Sequence, residues 1–175
     1  ELCSIGDILS GSGLGSSSSF SVALIKSISE LKNLKMKNNE IAHIASEIEI
    51  SDLGNPIGRQ DQYFSALGGI NILEFKPKGI VRNLNYPKIL EAVEIFSTNL
   101  YLINTSIRRN SNEKLSNLRN DDKSIVLIDE VLNITRKFLD KSKSLNKLEI
   151  LELLEQSMQN AWKVKKQMNC VINKE

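Results

Sequence analysis

A glycine- and serine-rich stretch holds the residues of this sequence that are best suited to chemistry. Residues 10–19 read Ser-Gly-Ser-Gly-Leu-Gly-Ser-Ser-Ser-Ser and run directly into an apolar segment. Glycine lets a backbone adopt positive φ and approach a ligand closely, and serine is a favoured N-cap of a following helix. Unpaired N–H groups and the helix dipole favour anions at such an N-terminus, so the stretch predicts a phosphate-binding loop.

Other glycine-rich motifs fit this stretch less well. A P-loop requires Gly-Lys followed by Ser or Thr, and the dinucleotide fingerprint requires G-x-G-x-x-G, whereas this sequence has G-x-G-x-G followed by serine. No serine here lies at the centre of G-x-S-x-G. A flexible linker is disfavoured because apolar residues follow at helical spacing. These residues are Phe20, Leu24, Ile28 and Leu31.

Phosphoryl transfer at such a loop also needs a divalent metal and a group that orients or deprotonates the acceptor hydroxyl. Magnesium keeps most of its waters and takes only one or two protein oxygens. Ser17 at the helix end and Glu49 are the candidate oxygens. At ~100° per residue, Glu49 lies about 80° from Ile41, at the edge of the apolar face of the second predicted helix. A solvated helix glutamate is the alternative for Glu49.

Asp61 is the best candidate base, because it opens a predicted helix after a Gly-Asn-Pro loop. Its alternative role is a helix cap. Arg59 and the Arg108-Arg109 pair lie in or beside loops, where guanidinium groups suit phosphate oxygens; ordinary surface arginines are the alternative. His43 is the single histidine and is interpreted as structural. The sequence therefore predicts neither a metal centre of the His/Cys type nor a Ser-His-Asp triad.

Composition narrows the class of protein. The 175 residues are 41% hydrophobic and carry a formal net charge of +2 with both signs interspersed, so neither a nucleic acid nor a membrane partner is expected. Two distant cysteines favour neither a disulfide framework nor a zinc site, and they indicate a reducing cytoplasm. No signal region or transmembrane run is found. Because the first residue is Glu1, we expect a piece of a longer protein.

The hydrophobic pattern alternates between strands and helices. In chain order it predicts a strand at residues 1–8, helices at about 17–31, from 38 and at 59–67, a hairpin of strands 70–75 and 80–84, a strand at 101–103, and helices at about 122–140 and 147–168. Asn146, three residues before Glu149, predicts a capping box. A domain boundary is predicted near Tyr86, between residues 1–86 and 87–175.

Two segments resemble motifs of the GHMP kinases, the superfamily of galactokinase, homoserine kinase, mevalonate kinase and phosphomevalonate kinase. Gly13-Leu14-Gly15-Ser16-Ser17 is similar to its second motif. Residues 54–62, Gly-Asn-Pro-Ile-Gly-Arg-Gln-Asp-Gln, resemble its segment with the acidic catalytic residue, and Ser-Ala-Leu-Gly-Gly at 65–69 continues the match. Within the superfamily, the loop and residues 57–63 and 105–109 look closest to D-glycero-D-manno-heptose 7-phosphate kinases.

The resemblance implies roles for the candidate residues. It implies that the loop backbone cradles the phosphates of ATP, the phosphate donor. The loop residues are Gly11, Ser12, Gly13, Leu14, Gly15, Ser16 and Ser17. It also implies Ser17 and Glu49 as Mg²⁺ ligands and Asp61 as the residue that orients or deprotonates the anomeric hydroxyl of the sugar phosphate. Arg59 and Arg109 become holders of the 7-phosphate, and the implied product is a heptose 1,7-bisphosphate.

The implied fold is α+β, with a GHMP-kinase-like two-domain architecture. Its first part is an incomplete N-terminal, ATP-binding domain in which the first helix packs with the hairpin, and its second is a partial ferredoxin-like C-terminal domain. The family's first motif would precede Glu1 and its third would follow Glu175, so we expect this chain alone to be nearly inactive. Missing strands would expose sheet edges and favour pairing with another chain, which leaves a homo-oligomer open.

Three other interpretations remain open at this point. The protein is alternatively a non-catalytic relative that binds a nucleotide or sugar, or another GHMP small-molecule kinase of the galactokinase or mevalonate kinase type. A truncated product without function is the third.

Overall fold

The computed structural model describes Cys3, Ile5, residues 13–103 and residues 122–168. They divide into two compact units, the first reaching residue 69 and the second formed by residues 70–103 and 122–168. The predicted opening strand lies largely outside the described residues. The predicted boundary near Tyr86 concerns the two domains of the family, and it stays a prediction.

Three helices build the first unit: α1 (Ser16–Leu31), α2 (Asn38–Glu47) and α3 (Gln60–Leu67). Each of them packs against the other two. A π-helical turn, Ile48–Asp52, extends α2. The predicted helices are confirmed, and each end that was predicted agrees with the structure to within one residue. The agreement is close because local signals mark the termini, such as Gly15 before α1 and Gly68 after α3.

The inward face of α1 differs from the predicted apolar face. Phe20 and Ile28 are 45% and 48% exposed, whereas Ser18, Val22 and Ser29 are buried. Small side chains on this face let α1 approach its neighbours closely, and the Ser29 hydroxyl donates to a backbone carbonyl, which satisfies its burial. The hydrophobic spacing therefore located the helix but assigned its inward face wrongly.

The core of the first unit lies where α1 meets α2. Val22, Ile41 and Ala45 form its buried cluster. Ile44 and Ile48, which share the predicted apolar face with Ile41, lie at the surface instead. Ala42 and Ala45 of α2 are fully buried.

The second unit begins with a short hairpin. Strands β1 (Leu73–Phe75) and β2 (Val81–Asn83) pair antiparallel with Glu74 opposite Arg82, and a 3₁₀ turn, Pro77–Gly79, joins them. The hairpin is shorter than predicted. It falls in the second unit, while α1 falls in the first. The expected packing of α1 with the hairpin stays a prediction.

Three helices complete the second unit: α4 (Pro87–Ser97), α5 (Asp122–Ser142) and α6 (Lys147–Lys165). Helix α4 was not predicted. It begins at Pro87, in the first helical turn, where the absent N–H costs nothing. The strand predicted at residues 101–103 is wrong, since these residues are exposed and carry no regular structure. The predicted capping box of α6 is confirmed: the Asn146 side chain accepts from two backbone N–H groups, and Glu149 accepts from the Asn146 N–H.

Two clusters form the core of the second unit. One joins α4, α5 and α6 through Ile89, Ala92, Phe138 and Ile150. The other joins α5 to the end of α6 through Leu127, Val164 and Met168. The outer surfaces of α5 and α6 carry several apolar side chains, namely Ile128, Leu132, Met158 and Trp162.

The described residues are therefore mostly helical, with one two-stranded sheet among them. This composition is consistent with part of an α+β fold of the GHMP kinase type. None of the helices within the described ranges is both long enough and apolar enough to cross a bilayer.

Candidate active site

The backbone of the loop before α1 adopts the positive φ angles that its glycines predicted. Gly13 and Gly15 have φ of 78° and 69°, in the left-handed region that favours glycine. Gly15 is the N-cap of α1, and its carbonyl accepts from the Ser19 N–H at 2.9 Å. No side chain caps this terminus. The first N–H groups of α1 thus lack both an intrahelical acceptor and a capping side chain, as an anion site requires. Gly11 and Ser12 lie outside the described residues.

Asp61, near the start of α3, lies against this loop. A Cβ placed on Gly15 would come within 3.3 Å of the Cβ, Cγ and Oδ2 atoms of Asp61. The carboxylate therefore lies beside the N-terminus of α1, and the absence of a side chain at Gly15 is what makes room for it.

The environment of Asp61 raises its pKa. Burial of the carboxyl against the loop is the larger cause, and the negative charge of Glu49 is the smaller one. As a whole residue Asp61 still reaches solvent, so a ligand can contact it. A raised pKa makes a carboxylate a better proton acceptor, which suits a general base.

Glu49 is the buried carboxylate of this site. It lies in the π-helical turn after α2 and is only 3% exposed. Its Oε2 accepts two hydrogen bonds, from Ser18 Oγ at 3.2 Å and from Gln62 Nε2 at 2.9 Å. Its Oε1 is buried without a hydrogen-bond partner. Because a buried polar atom is costly to leave unpaired, Oε1 is suited to a ligand that donates or coordinates.

A magnesium ion fits this donor set. Oxygen is the ligand that Mg²⁺ prefers, and the ion keeps several waters when only one or two carboxylates hold it. Nowhere in the part of the chain that the structure describes do three or more His, Cys, Asp or Glu side chains gather as a metal cage. A magnesium site here would rest on Glu49, on water and on phosphate oxygens. Ser17, the other predicted ligand, is exposed in the first turn of α1.

Arg59, predicted to hold a substrate phosphate, forms an ion pair. Its Nη2 lies 2.8 Å from Oε1 of Glu47, whose Oε2 accepts from the Ser51 hydroxyl. Its Nη1 is buried with no partner. One side of the guanidinium is thus held by protein, while the other remains able to donate. Arg108 and Arg109 lie outside the described residues.

The structure brings Gly15, Glu49 and Asp61 together, as the sequence motifs predicted; their roles stay predictions. Sequence reasoning missed Ser18 and Gln62, the two donors to Glu49. Ser18 lies one helical turn before Val22, so the inward face of α1 was the signal that could have found it. Nothing in the local sequence distinguishes Gln62 from an exposed helix glutamine.

His43, interpreted as structural, is exposed on α2. It lines an open groove of about 630 Å³ together with Leu34 and Met36. His43 takes no part in the two hydrogen bonds to Glu49 described above.

The segment that carries this site is similar to a known protein family. Residues 3–69 match the family described as GHMP kinases N terminal domain, a segment that includes the loop, Glu49 and Asp61. The resemblance of this segment to the N-terminal domain of the GHMP kinases, which its motifs indicated, is confirmed. Over 69 residues it is 51% identical to the D-glycero-alpha-D-manno-heptose 7-phosphate kinase of Campylobacter jejuni. That match covers 39% of this chain and 20% of the length of that kinase.

Proposed function

We propose that the protein transfers the γ-phosphate of ATP to the anomeric hydroxyl of D-glycero-D-manno-heptose 7-phosphate and forms the 1,7-bisphosphate. The observation that carries this proposal is the approach of Asp61 to Gly15, which puts a carboxylate beside an anion-binding helix terminus. The name of the Campylobacter jejuni relative supports the choice of sugar. Since the match covers one part of that kinase, the substrate and the activity of the whole protein belong to the proposal.

The loop and the buried glutamate would hold the nucleotide. Backbone N–H groups of Gly13 to Ser17 donate to the phosphate oxygens, aided by the dipole of α1. The unpaired Oε1 of Glu49 and the Ser17 hydroxyl would hold the magnesium that accompanies ATP. When bound, that ion neutralises charge on the β- and γ-phosphates.

Asp61 would act on the acceptor. As the anomeric oxygen forms its bond to the γ-phosphorus, the bond from that phosphorus to the β–γ bridging oxygen breaks, and ADP leaves with the bonding electrons. The proton of the anomeric hydroxyl passes to an oxygen of the Asp61 carboxylate. The raised pKa of Asp61 favours this step, and its place beside the loop orients the hydroxyl.

Arg59 and Arg109 are the proposed holders of the 7-phosphate. Arg59 would donate through Nη1 while Glu47 keeps Nη2 in place. We also infer for this protein the family's two-domain fold, with a ferredoxin-like C-terminal domain from residue 87. It also places the reaction in the cytoplasm, as the cysteine usage indicates.

The test uses a version of the protein extended to the full length of its relatives. With ATP and Mg²⁺ it is incubated with D-glycero-D-manno-heptose 7-phosphate and a panel of other sugar phosphates, galactose and mevalonate, and ADP formation is measured. We expect transfer to the heptose phosphate. Transfer to another alcohol instead would make it a different GHMP kinase. ATP binding without any transfer would make it a non-catalytic relative.

Asp61→Ala separates catalysis from binding. We expect the variant to lose transfer while calorimetry shows unchanged ATP affinity, because Asp61 acts on the acceptor. Asp52→Ala is the matched control, since Asp52 is an exposed carboxylate at the end of the π-helical turn. Equal rates for Asp61→Ala and the unaltered protein would refute the proposed base.

A further inference from the structure

Gln62 is an unusual residue to find buried in the first turn of a helix. It is fully buried, at 0% exposure, although glutamine is a residue that proteins mostly leave in water. Its amide nitrogen donates to Glu49, while its amide oxygen is buried without a hydrogen-bond partner. An apolar side chain would fill the same space without an unpaired oxygen, so packing alone does not account for a glutamine at this position.

The bonds to Glu49 are unevenly distributed. Both donors, Gln62 Nε2 and Ser18 Oγ, reach the same carboxylate oxygen, Oε2. The second oxygen, Oε1, has none. A carboxylate that only had to be stabilised would share its donors between both oxygens, each of which offers lone pairs. This arrangement instead holds the group by one oxygen and leaves the other free.

The two donors come from different helices. Ser18 belongs to α1, directly after the phosphate-binding loop, and Gln62 belongs to α3, directly after Asp61. Glu49 is therefore fixed relative to both the loop and the proposed base. A shift of its carboxylate would break one of the two bonds.

We propose that Gln62 is a positioning residue that, together with Ser18, clamps Oε2 of Glu49 so that Oε1 is presented to a divalent cation. The inference rests on the proposed function, in which Glu49 holds the magnesium of ATP. It adds residues that act on the ligand rather than on the ion. Outer partners that orient a metal ligand typically change metal affinity by 10- to 100-fold, and the same range is expected here.

The experiment measures Mn²⁺ binding, with Mn²⁺ as the probe for Mg²⁺. Titration in the presence of saturating ADP, followed by electron paramagnetic resonance of the free ion, gives the Kd for Mn²⁺ without requiring turnover. Gln62→Leu removes the donor and keeps the volume. We expect its Kd for Mn²⁺ to rise by about 10-fold or more, while its affinity for metal-free ADP is unchanged.

Gln60→Leu is the matched control, because Gln60 is an exposed glutamine in the same helical turn. It should bind Mn²⁺ like the unaltered chain. In the full-length protein, raising Mg²⁺ should restore the rate of Gln62→Leu, which a general folding defect would not permit. If Gln62→Leu does not fold, as judged by circular dichroism, Ser18→Ala decides the question in the same titration.

The outcomes distinguish this inference from the proposed function. Unchanged Mn²⁺ affinity in folded Gln62→Leu, or in Ser18→Ala where that variant is needed, overturns the clamp while the unaltered chain still binds Mn²⁺ and ADP. If the unaltered chain binds no Mn²⁺ in the presence of ADP, both the clamp and the proposed metal site are wrong. A loss confined to Gln62→Leu and Ser18→Ala supports the clamp.

Discussion

Replacing Gly15 by alanine tests the central contact of the site. Gly15 has φ of 69°, and an added Cβ would lie 3.3 Å from three atoms of Asp61. A left-handed backbone costs a non-glycine residue roughly 1–2 kcal/mol. The contact adds a second cost, because carbon atoms pack best at about 3.5–4.0 Å. Overpacking typically costs about 1–3 kcal/mol, and the exposed Asp61 can move, so we take about 1 kcal/mol.

Gly13→Ala is the matched control. Gly13 has φ of 78°, but a Cβ there would meet nothing within 4 Å. Gly13→Ala should lower the free energy of unfolding only by the cost of the left-handed backbone, roughly 1–2 kcal/mol. For Gly15→Ala the expected loss is about 2–3 kcal/mol. With a urea m-value of about 2 kcal/mol per M, the extra loss moves the unfolding midpoint by about 0.5 M.

The assay is urea unfolding followed by circular dichroism, with the free energies compared at equal m. A double-mutant cycle with Asp61→Ala isolates the contact, since that change removes Cγ and Oδ2 but keeps Cβ. Part of the extra loss of Gly15→Ala should then disappear. Equal losses for Gly13→Ala and Gly15→Ala would refute the reasoning, because they would show that Asp61 does not lie against the loop.

Three further substitutions probe charges of the site. Folding raises the pKa of Asp61 above its ordinary 3.8, so the folded state binds the proton more tightly and ionised Asp61 lowers stability as the pH rises through that interval. Asp61→Asn should therefore be more stable than the unaltered chain at neutral pH and lose this advantage below the ordinary pKa; a constant difference across urea titrations at several pH values would contradict the shift. Arg59→Ala should lose about 0.5–1 kcal/mol, since the ion pair with Glu47 is partly exposed, and raise KM for the sugar phosphate in the full-length protein. Glu47→Gln should lose similar stability with a smaller change in KM, and equal KM values for both variants would remove Arg59 from the substrate site.

The local parts of this site could be predicted from sequence because their causes are local. Glycines that require positive φ and serines at a helix start define the loop before α1 within a few residues. Pro56 and its flanking glycines end the preceding helical segment and place Asp61 at the start of the next. The motif match then gave these residues roles, which remain the part to be tested.

Packing decided what local signals could not. The apolar spacing of Phe20 and Ile28 predicted one face of α1, but the buried face carries Ser18 and Val22, because close helix contact selects small side chains. Glu49 was expected at the edge of a regular helix. It lies instead in a π-helical turn, and such turns are frequent at functional sites. Hydrophobicity alone marks neither a buried face that contains serines nor a π-helical turn.

Helix α3 links the two halves of the proposed chemistry. Asp61 and Gln62 are consecutive, so their side chains leave the helix about 100° apart. One contacts the phosphate-binding loop and the other holds Glu49. The start of α3 therefore positions both the proposed base and the proposed metal ligand. Since the Ser65 and Ser19 hydroxyls also join α3 to α1 at 3.0 Å, a tilt of α3 would disturb phosphate, metal and acceptor positions at once.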